Sequence, residues 1–215
     1  MDQIISVIIL THNEECNIRE CLESIAGLPA EVFVVDSGST DKTLELVKEY
    51  TSNIFTHPFE NYGLQRNWAI NNLPVQTEWM LQMDADHRLT PELKDEIKGL
   101  FAKGISEDVN GFLISRRSVF MGKWIRHGGH YPTYHSTLFR KGKGRCEEKL
   151  CDQHFVVEGK QQKLKGDMFD IMTDSISSFT TRHNRWASLE AEDQFFQISG
   201  SKSGLIHASL GGNAI

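Results

Sequence analysis

The sequence predicts an α/β domain with a mostly parallel central sheet flanked by helices, on three observations. Apolar runs at residues 6–10, 31–35 and 79–83 have the length and continuity of strands buried on both faces. The first two each lead through a polar corner into apolar residues at helical spacing, so strand and helix alternate up to about residue 105, the pattern of a doubly wound layer structure. The run at 79–83 ends abruptly in Asp84 and Asp86, two carboxylates one residue apart at what would be the carboxyl edge of the sheet.

The elements follow in order. After the strand at 6–10, Thr11, His12, Asn13 and Glu14 form a corner, and Ile18, Cys21, Leu22 and Ile25 recur as one helical face, closed by Gly27 and Pro29. The second strand, 31–35, leads into the loop 36–41, from which Thr40 or Asp41 can cap a helix lined by Leu44, Val47 and Tyr50. A short strand at 54–56 precedes a helix carrying Gln65, Arg66, Asn67 and Trp68. Thr90-Pro91-Glu92 opens a further helix, with proline at its first position and Leu93, Ile97, Leu100 and Phe101 as its stripe.

Beyond residue 105 the pattern changes. Residues 111–120, 137–140 and 154–157 read as strands without helices between them, 122–135 as a glycine- and histidine-rich loop, and 177–196 as a helix with Arg182, His183 and Arg185. The Gly- and Ser-rich tail, 199–215, is expected to fray or to continue in a longer chain. There is no internal repeat.

Composition sets the class. A chain of 215 residues with 39% apolar and 24% charged residues can bury one substantial core, and its formal charge of −6 argues against a general nucleic-acid binder. No stretch approaches the roughly 18 apolar residues that span a bilayer, and residues 1–10 show neither a charged leader nor a cleavage site, so a cytoplasmic protein is expected. Cys16, Cys21, Cys146 and Cys151 fit no common zinc spacing and read as free buried thiols.

Chemistry concentrates at three corners, Thr11 to Glu14, Asp36 to Asp41 and Asp84 to Asp86. Because each follows a parallel strand, the fold should bring them to one edge. Two carboxylates at i and i+2 can converge on one hard cation, magnesium, manganese or calcium, which can hold a diphosphate. Asp36 can accept from a base N–H and Glu14 from ribose hydroxyls. Blander roles stand beside these: Asp36 or Asp41 capping a turn, Glu14 opening a helix, Arg66 pairing at the surface. No glycine-rich dinucleotide or P-loop motif is present.

The segments SVIILTHNEE, VVDSGSTDKT, QRNWAI and WMLQMDADHRLTPEL, in that order, resemble the nucleotide-sugar domain of family 2 glycosyltransferases with the GT-A fold. LFRKGKGRCEE, HFVVEG and TTRHNRWASLEAE are similar to the branch that assembles bacterial lipopolysaccharide core, including β-1,4-glucosyltransferases. The resemblance implies one GT-A domain over 1–198, with a nucleotide-sugar half at 1–105 and a mixed acceptor-side half at 106–198. It implies an inverting transfer from a UDP-sugar, with Mn²⁺ or Mg²⁺, to a saccharide or glycolipid acceptor, with possible contact at the inner membrane surface. Residue by residue, Thr11, Glu14 and Asp36 would hold the uridine, Arg66 the base or diphosphate, Asp84 the ribose or donor sugar, and Asp86 the metal.

The chain departs from that pattern where chemistry needs a base. A His-Glu pair is expected just before the strand HFVV, and here Asp152 and Gln153 stand there. A glutamine amide cannot take a proton, which leaves Asp152 as the nearest substitute with Glu147 and Glu148 behind it, or else a catalytically impaired UDP-sugar-binding module. Thr137 stands in place of an arginine and Asp170 near an expected histidine. Arg140, Lys141, Lys143 and Arg145 keep the region basic and suited to a phosphorylated acceptor or an anionic membrane. His127, His130 and His135 are further candidates for donor phosphate or metal.

Overall fold

The computed structural model describes residues 4–149, 152–172 and 175–199. In chain order the elements are β1 (Ile5–Thr11), α1 (Ile18–Ile25), β2 (Ala30–Asp36), α2 (Thr43–Val47), β3 (Ile54–Thr56), α3 (Tyr62–Asn72), β4 (Trp79–Asp84), β5 (His87–Leu89), α4 (Pro91–Lys103), β6 (Val109–Phe120), β7 (Lys123–Trp124), β8 (Thr133–Arg140), β9 (Gly144–Cys146), β10 (Phe155–Val157), β11 (Lys160–Met172) and α5 (Ile176–Ser199). Cys151 and the tail from residue 200 lie outside the described residues. Cys21 and Cys146 are free buried thiols, as expected, whereas Cys16 is free but exposed.

Eight strands run in the order β3-β2-β1-β4-β8-β6-β11-β5, with β7 paired to β6, and β9 and β10 form a separate hairpin. The first four strands are parallel. β8 is antiparallel to both β4 and β6, β11 parallel to β6, and β5 antiparallel to β11, so the sheet is parallel where the nucleotide half was expected and mixed beyond it. From β1 the chain winds one way through β2 to β3, then returns to place β4 on the other side of β1. That reversal is where open α/β sheets form a crevice at the strands' carboxyl ends. Register carries Thr11 opposite Asp36 and Leu10 opposite Asp84, so the polar corners share one edge.

Helices on both faces explain the unbroken apolar run in β1. Ile5, Val7 and Ile9 pack with Ile18, Cys21, Leu22, Ile25, Val47, Leu93 and Ile97 of α1, α2 and α4. Ile8 and Leu10 point the other way, into a core with Ala69, Ile70 and Leu73 beside α3 and with Phe139. α4 begins as its sequence dictates: Thr90 accepts the Leu93 N–H on its hydroxyl oxygen and Pro91 opens the first turn.

Three expectations are corrected. α2 ends at Val47, so Tyr50 is not part of its inner face; it is 39% exposed, and its hydroxyl meets Arg19 and Glu23. The loop expected at 122–135 is shorter, because β7 interrupts it and β8 begins at Thr133, which places His135 in a strand. β11, a strand of 13 residues, lay hidden because its first half is mostly polar and exposed, and only around Leu164 to Met168 does it enter the core.

Candidate active site

The turn between β4 and β5 carries Asp84, Ala85 and Asp86, and it is braced from below. Arg88 is 7% exposed; its guanidinium donates to the carbonyls of Ala85 and His87 and to Asn17 Oδ1, tying the turn to the start of α1. The Ala85 N–H donates to the Leu10 carbonyl at the end of β1, and the Ile171 N–H of β11 donates to the Asp86 carbonyl. These bonds fix the backbone, so the two aspartates meet a rigid frame.

Asp84 Oδ2 accepts from Arg66 on α3 at 2.9 Å. Burial by itself would raise the Asp84 carboxyl, but Arg66 in contact with it, with Arg116 behind, outweighs burial and holds it well below the usual carboxylate range. Asp86 has the opposite setting. Burial, then the charges of Asp84, Asp170 and Glu14, raise its carboxyl well above the usual value, and Arg116 opposes them only in part. Two carboxyls two residues apart thus differ in charge preference because only one has an arginine in contact.

Oδ1 of Asp84 and Oδ1 of Asp86 are both buried and have no hydrogen bond among the described residues. Together with His87 they offer ligand atoms within 4.8 Å of one another. Buried acceptor-only oxygens with no donor are costly unless a cation meets them, so the two carboxylates fit a hard divalent ion. His87 does not complete that set. The Asp84 N–H donates to its Nδ1 at 3.0 Å, which leaves the ring proton on Nε2, facing Asp84 at 3.7 Å and Asp86 at 3.9 Å. Burial, with Arg116 next, lowers His87 to about 3, so the ring is neutral and presents an N–H, not a lone pair, to the carboxylates.

The other two corners interlock. The Asn13 N–H donates to the Ser39 hydroxyl, the Thr40 N–H to Asn13 Oδ1, the Glu14 N–H to the Thr43 hydroxyl, and the Glu15 N–H to Asp41. Asp36, 1% exposed, accepts from the N–H groups of Gly38 and Ser39 and from the Ser39 hydroxyl. The Glu14 carboxylate accepts from Asn17, and its carbonyl from the first amides of α1. Asp36, Asp41 and Glu14 therefore do the turn-capping and helix-opening work that their sequence positions allowed. Thr11 differs: it is 4% exposed at the crevice edge, and its hydroxyl has no partner among the described residues.

The loop that carries Cys146 and Glu147 is strapped to α3. Asn67 exchanges two hydrogen bonds with the backbone of Cys146, and a Cβ on Gly63 would lie 2.4 Å from the Glu147 carbonyl oxygen. Asp152 stands beyond this strap with φ +51 and a side chain 78% exposed, 3.8 Å from His154 Nε2, and no contact joins it to Asp84, Asp86 or Arg66. Gln153 donates to the Lys149 carbonyl at 2.6 Å. The basic run is partly absorbed by structure: Arg140 pairs with Glu78 and lies over Trp79, and Lys141 donates to the Val75 carbonyl. His127 and His130 are exposed and stand outside the carboxylate group.

Sequence patterns give no site role to two residues here: Arg116 is passed over, and Asp170 is marked only as standing near an expected histidine. Arg116 on β6 faces the aspartates, its Nε buried without a hydrogen bond among the described residues, and burial lowers its pKa despite Asp84, Asp170 and Asp86. Asp170 sits opposite His87 across the β11–β5 pair, raised by burial and by Asp84 against Arg116. Neither lies in a local motif. Both reach the crevice through β6 and β11, strands distant in sequence that pair with each other.

Residues 6–157 match the family model described as Glycosyl transferase family 2. The lipopolysaccharide core biosynthesis glycosyltransferase LpsC of Rhizobium meliloti is 27% identical over 88% of this chain and 71% of its own length. An uncharacterized glycosyltransferase of Rickettsia typhi is 38% identical over 88% of this chain and 67% of its own. A solved fragment of Staphylococcus aureus TarS, in complex with UDP-GlcNAc, superposes with a TM-score of 0.57 at 20% identity, covering 80% of this chain. The chain spans 59% of that fragment. That likeness gives the fold as GT-A, and with the family match over most of the sequence the chain belongs to the family 2 glycosyltransferases.

Proposed function

We propose that the chain transfers a sugar, with inversion at the anomeric carbon, from a UDP-sugar to a saccharide or glycolipid acceptor of the cell envelope, in lipopolysaccharide core assembly. The observation that carries the reading is the pair of buried carboxylate oxygens without hydrogen bonds, on Asp84 and Asp86, at the sheet's switch point beside two arginines. The LpsC name supports the acceptor class, and the UDP-GlcNAc held by TarS supports the donor class. No helix among the described residues is long and apolar enough to cross a membrane. In this reading the envelope acceptor is met at the cytoplasmic surface of the bilayer.

In this reading Thr11, Glu14 and Asp36 line the uridine end, with the unsatisfied Thr11 hydroxyl as the donor or acceptor that a base or ribose would meet. Arg66 and Arg116 flank the diphosphate, Asp84 faces the ribose or donor sugar, and Asp86 holds Mn²⁺ or Mg²⁺. A bound divalent cation neutralises charge on the leaving diphosphate and fixes its orientation. The residues around it do the rest: Arg66 keeps Asp84 ionised, His87 directs an N–H at both carboxylates, and Arg88 holds the turn.

The test is a donor screen measuring release of UDP from several UDP-sugars with a saccharide acceptor, with Mn²⁺, Mg²⁺ or EDTA. Metal-dependent release supports the transferase. Metal-dependent binding of UDP, seen as a raised Tm, without release from any donor would instead favour a sugar-nucleotide-binding module, the reading that Gln153 motivates.

A further inference from the structure

Gln153 leaves the family reading without its base, and the structure places an imidazole beside the vacancy. The His154 N–H donates to Glu147 Oε2 at 3.1 Å, which holds the backbone to that carboxylate, and His154 Nδ1 faces the same oxygen at 3.6 Å without a hydrogen bond. Glu147 is also bound by Lys149 at 2.8 Å; burial alone would raise its carboxyl, but Lys149 and the His154 amide keep it below the usual value and therefore ionised. Nε2 of His154 points away from Glu147, toward Asp152 at 3.8 Å.

The imidazole is tied to the donor crevice from two sides. Its ring is parallel to that of His135 on β8, with centroids 5.9 Å apart, and Arg116 and Asp84 lie within electrostatic reach of His135. The next residue, Phe155, lies under the guanidinium of Arg66 at 5.2 Å, and Arg66 is the arginine bonded to Asp84. The Glu147 loop is fastened to the same helix through Asn67. A group so placed can face an acceptor approaching the donor's anomeric carbon, while its 46% exposed side chain can pass a proton to water.

We propose that His154 is the general base of the transfer, with Glu147 as its positioning residue. The Glu147 carboxylate facing Nδ1 at 3.6 Å favours the ring proton there, which leaves the Nε2 lone pair for the acceptor hydroxyl. As that oxygen forms its bond to the anomeric carbon, its proton moves to Nε2; the bond from the anomeric carbon to the diphosphate oxygen breaks, and its electron pair leaves with the nucleoside diphosphate. The groups facing the imidazole are the carboxylates of Glu147 and Asp152 and the ring of His135, which burial keeps neutral, with Lys149 behind Glu147. This inference rests on the transferase reading above.

The experiment measures sugar transfer at saturating donor in the wild type, His154→Ala, Glu147→Gln, Asp152→Asn and Gln153→Glu, with the metal-dependent Tm shift by UDP as the control for folding and donor binding. His154→Ala should keep the UDP shift, lose about 10²–10⁴ in kcat, and recover part of it with added imidazole. Glu147→Gln should lower kcat less and gain nothing from imidazole, and Asp152→Asn should cost less than tenfold. A His154→Ala enzyme with wild-type kcat, or a loss unrescued by imidazole with an equal loss in Asp152→Asn, overturns the base assignment alone. So does a gain of 10² or more in Gln153→Glu. A wild type that binds UDP with metal but transfers from no donor overturns this assignment and the transferase reading together.

Discussion

The Asp84 main-chain N–H donates to Nδ1 of His87 across 3.0 Å, and this bond decides what the histidine can do for the two carboxylates beside it. A nitrogen that accepts a backbone proton carries none of its own, so Nε2 holds the ring proton and cannot offer a lone pair to a cation. Mn²⁺ bound at this turn should therefore show no directly coordinated imidazole nitrogen in pulsed electron spin resonance. A strong nitrogen coupling that vanishes in His87→Asn would reverse the tautomer.

Asp86 is crowded by Asp84, Asp170 and Glu14, and burial adds to its cost of ionisation. Asp86→Asn removes that repulsion. Near neutral pH the metal-free variant should be more stable than the wild type by about 1 kcal/mol, or about 2–4 °C in Tm for a chain of this size, while losing the Tm rise that UDP with Mn²⁺ produces. The sign follows from the raised carboxyl: its contribution is favourable while it is protonated and is lost as pH rises through the folded-state value, so the variant's advantage should shrink on acidification. Calorimetry with and without metal reads both effects.

Arg66 and Asp84 behave in the reverse sense. The carboxyl is held below its unfolded value, so the pair's contribution is present above the ordinary carboxylate range and disappears as pH falls through the folded-state value. Arg66→Met should cost about 3 kcal/mol near pH 7, because it strands a buried carboxylate, and the Tm difference from wild type should narrow toward about pH 3. A difference independent of pH would show that Arg66 acts only through packing against Phe155.

Gly63→Ala tests the strap between α3 and the loop that carries Cys146 and Glu147. The new Cβ would press within 2.4 Å of the Glu147 carbonyl oxygen, a backbone atom that must move for it to fit. Stability should fall by about 1–3 kcal/mol. Because the moved loop carries Glu147 and adjoins His154, kcat should fall while the KM for the donor changes little. An equal change in both would mean that α3, not the loop, had yielded.

The sequence alone determined the parallel half of the fold, because β1, β2 and β4 are apolar runs that end in polar corners, and patterned helices follow β1, β2 and β3. The boundaries of β1, β2, β3 and β4 fall within one or two residues of that reading, and Asp84 and Asp86 stand at the sheet edge where the run predicted them. The mixed half was less legible. β11 alternates exposed polar residues with a core contact only midway along, and β5 and β7 span three and two residues, too short for periodicity to register. Only the tertiary structure brought Arg116 and Asp170 around the aspartates, since β6 and β11 pair with each other and share no motif with the Asp84 turn, whereas His87 follows Asp86 directly in the chain. It also separated two carboxyls that look equivalent in the string Asp-Ala-Asp: a charge preference is set by what lies across the crevice, and Arg66 touches Asp84 alone.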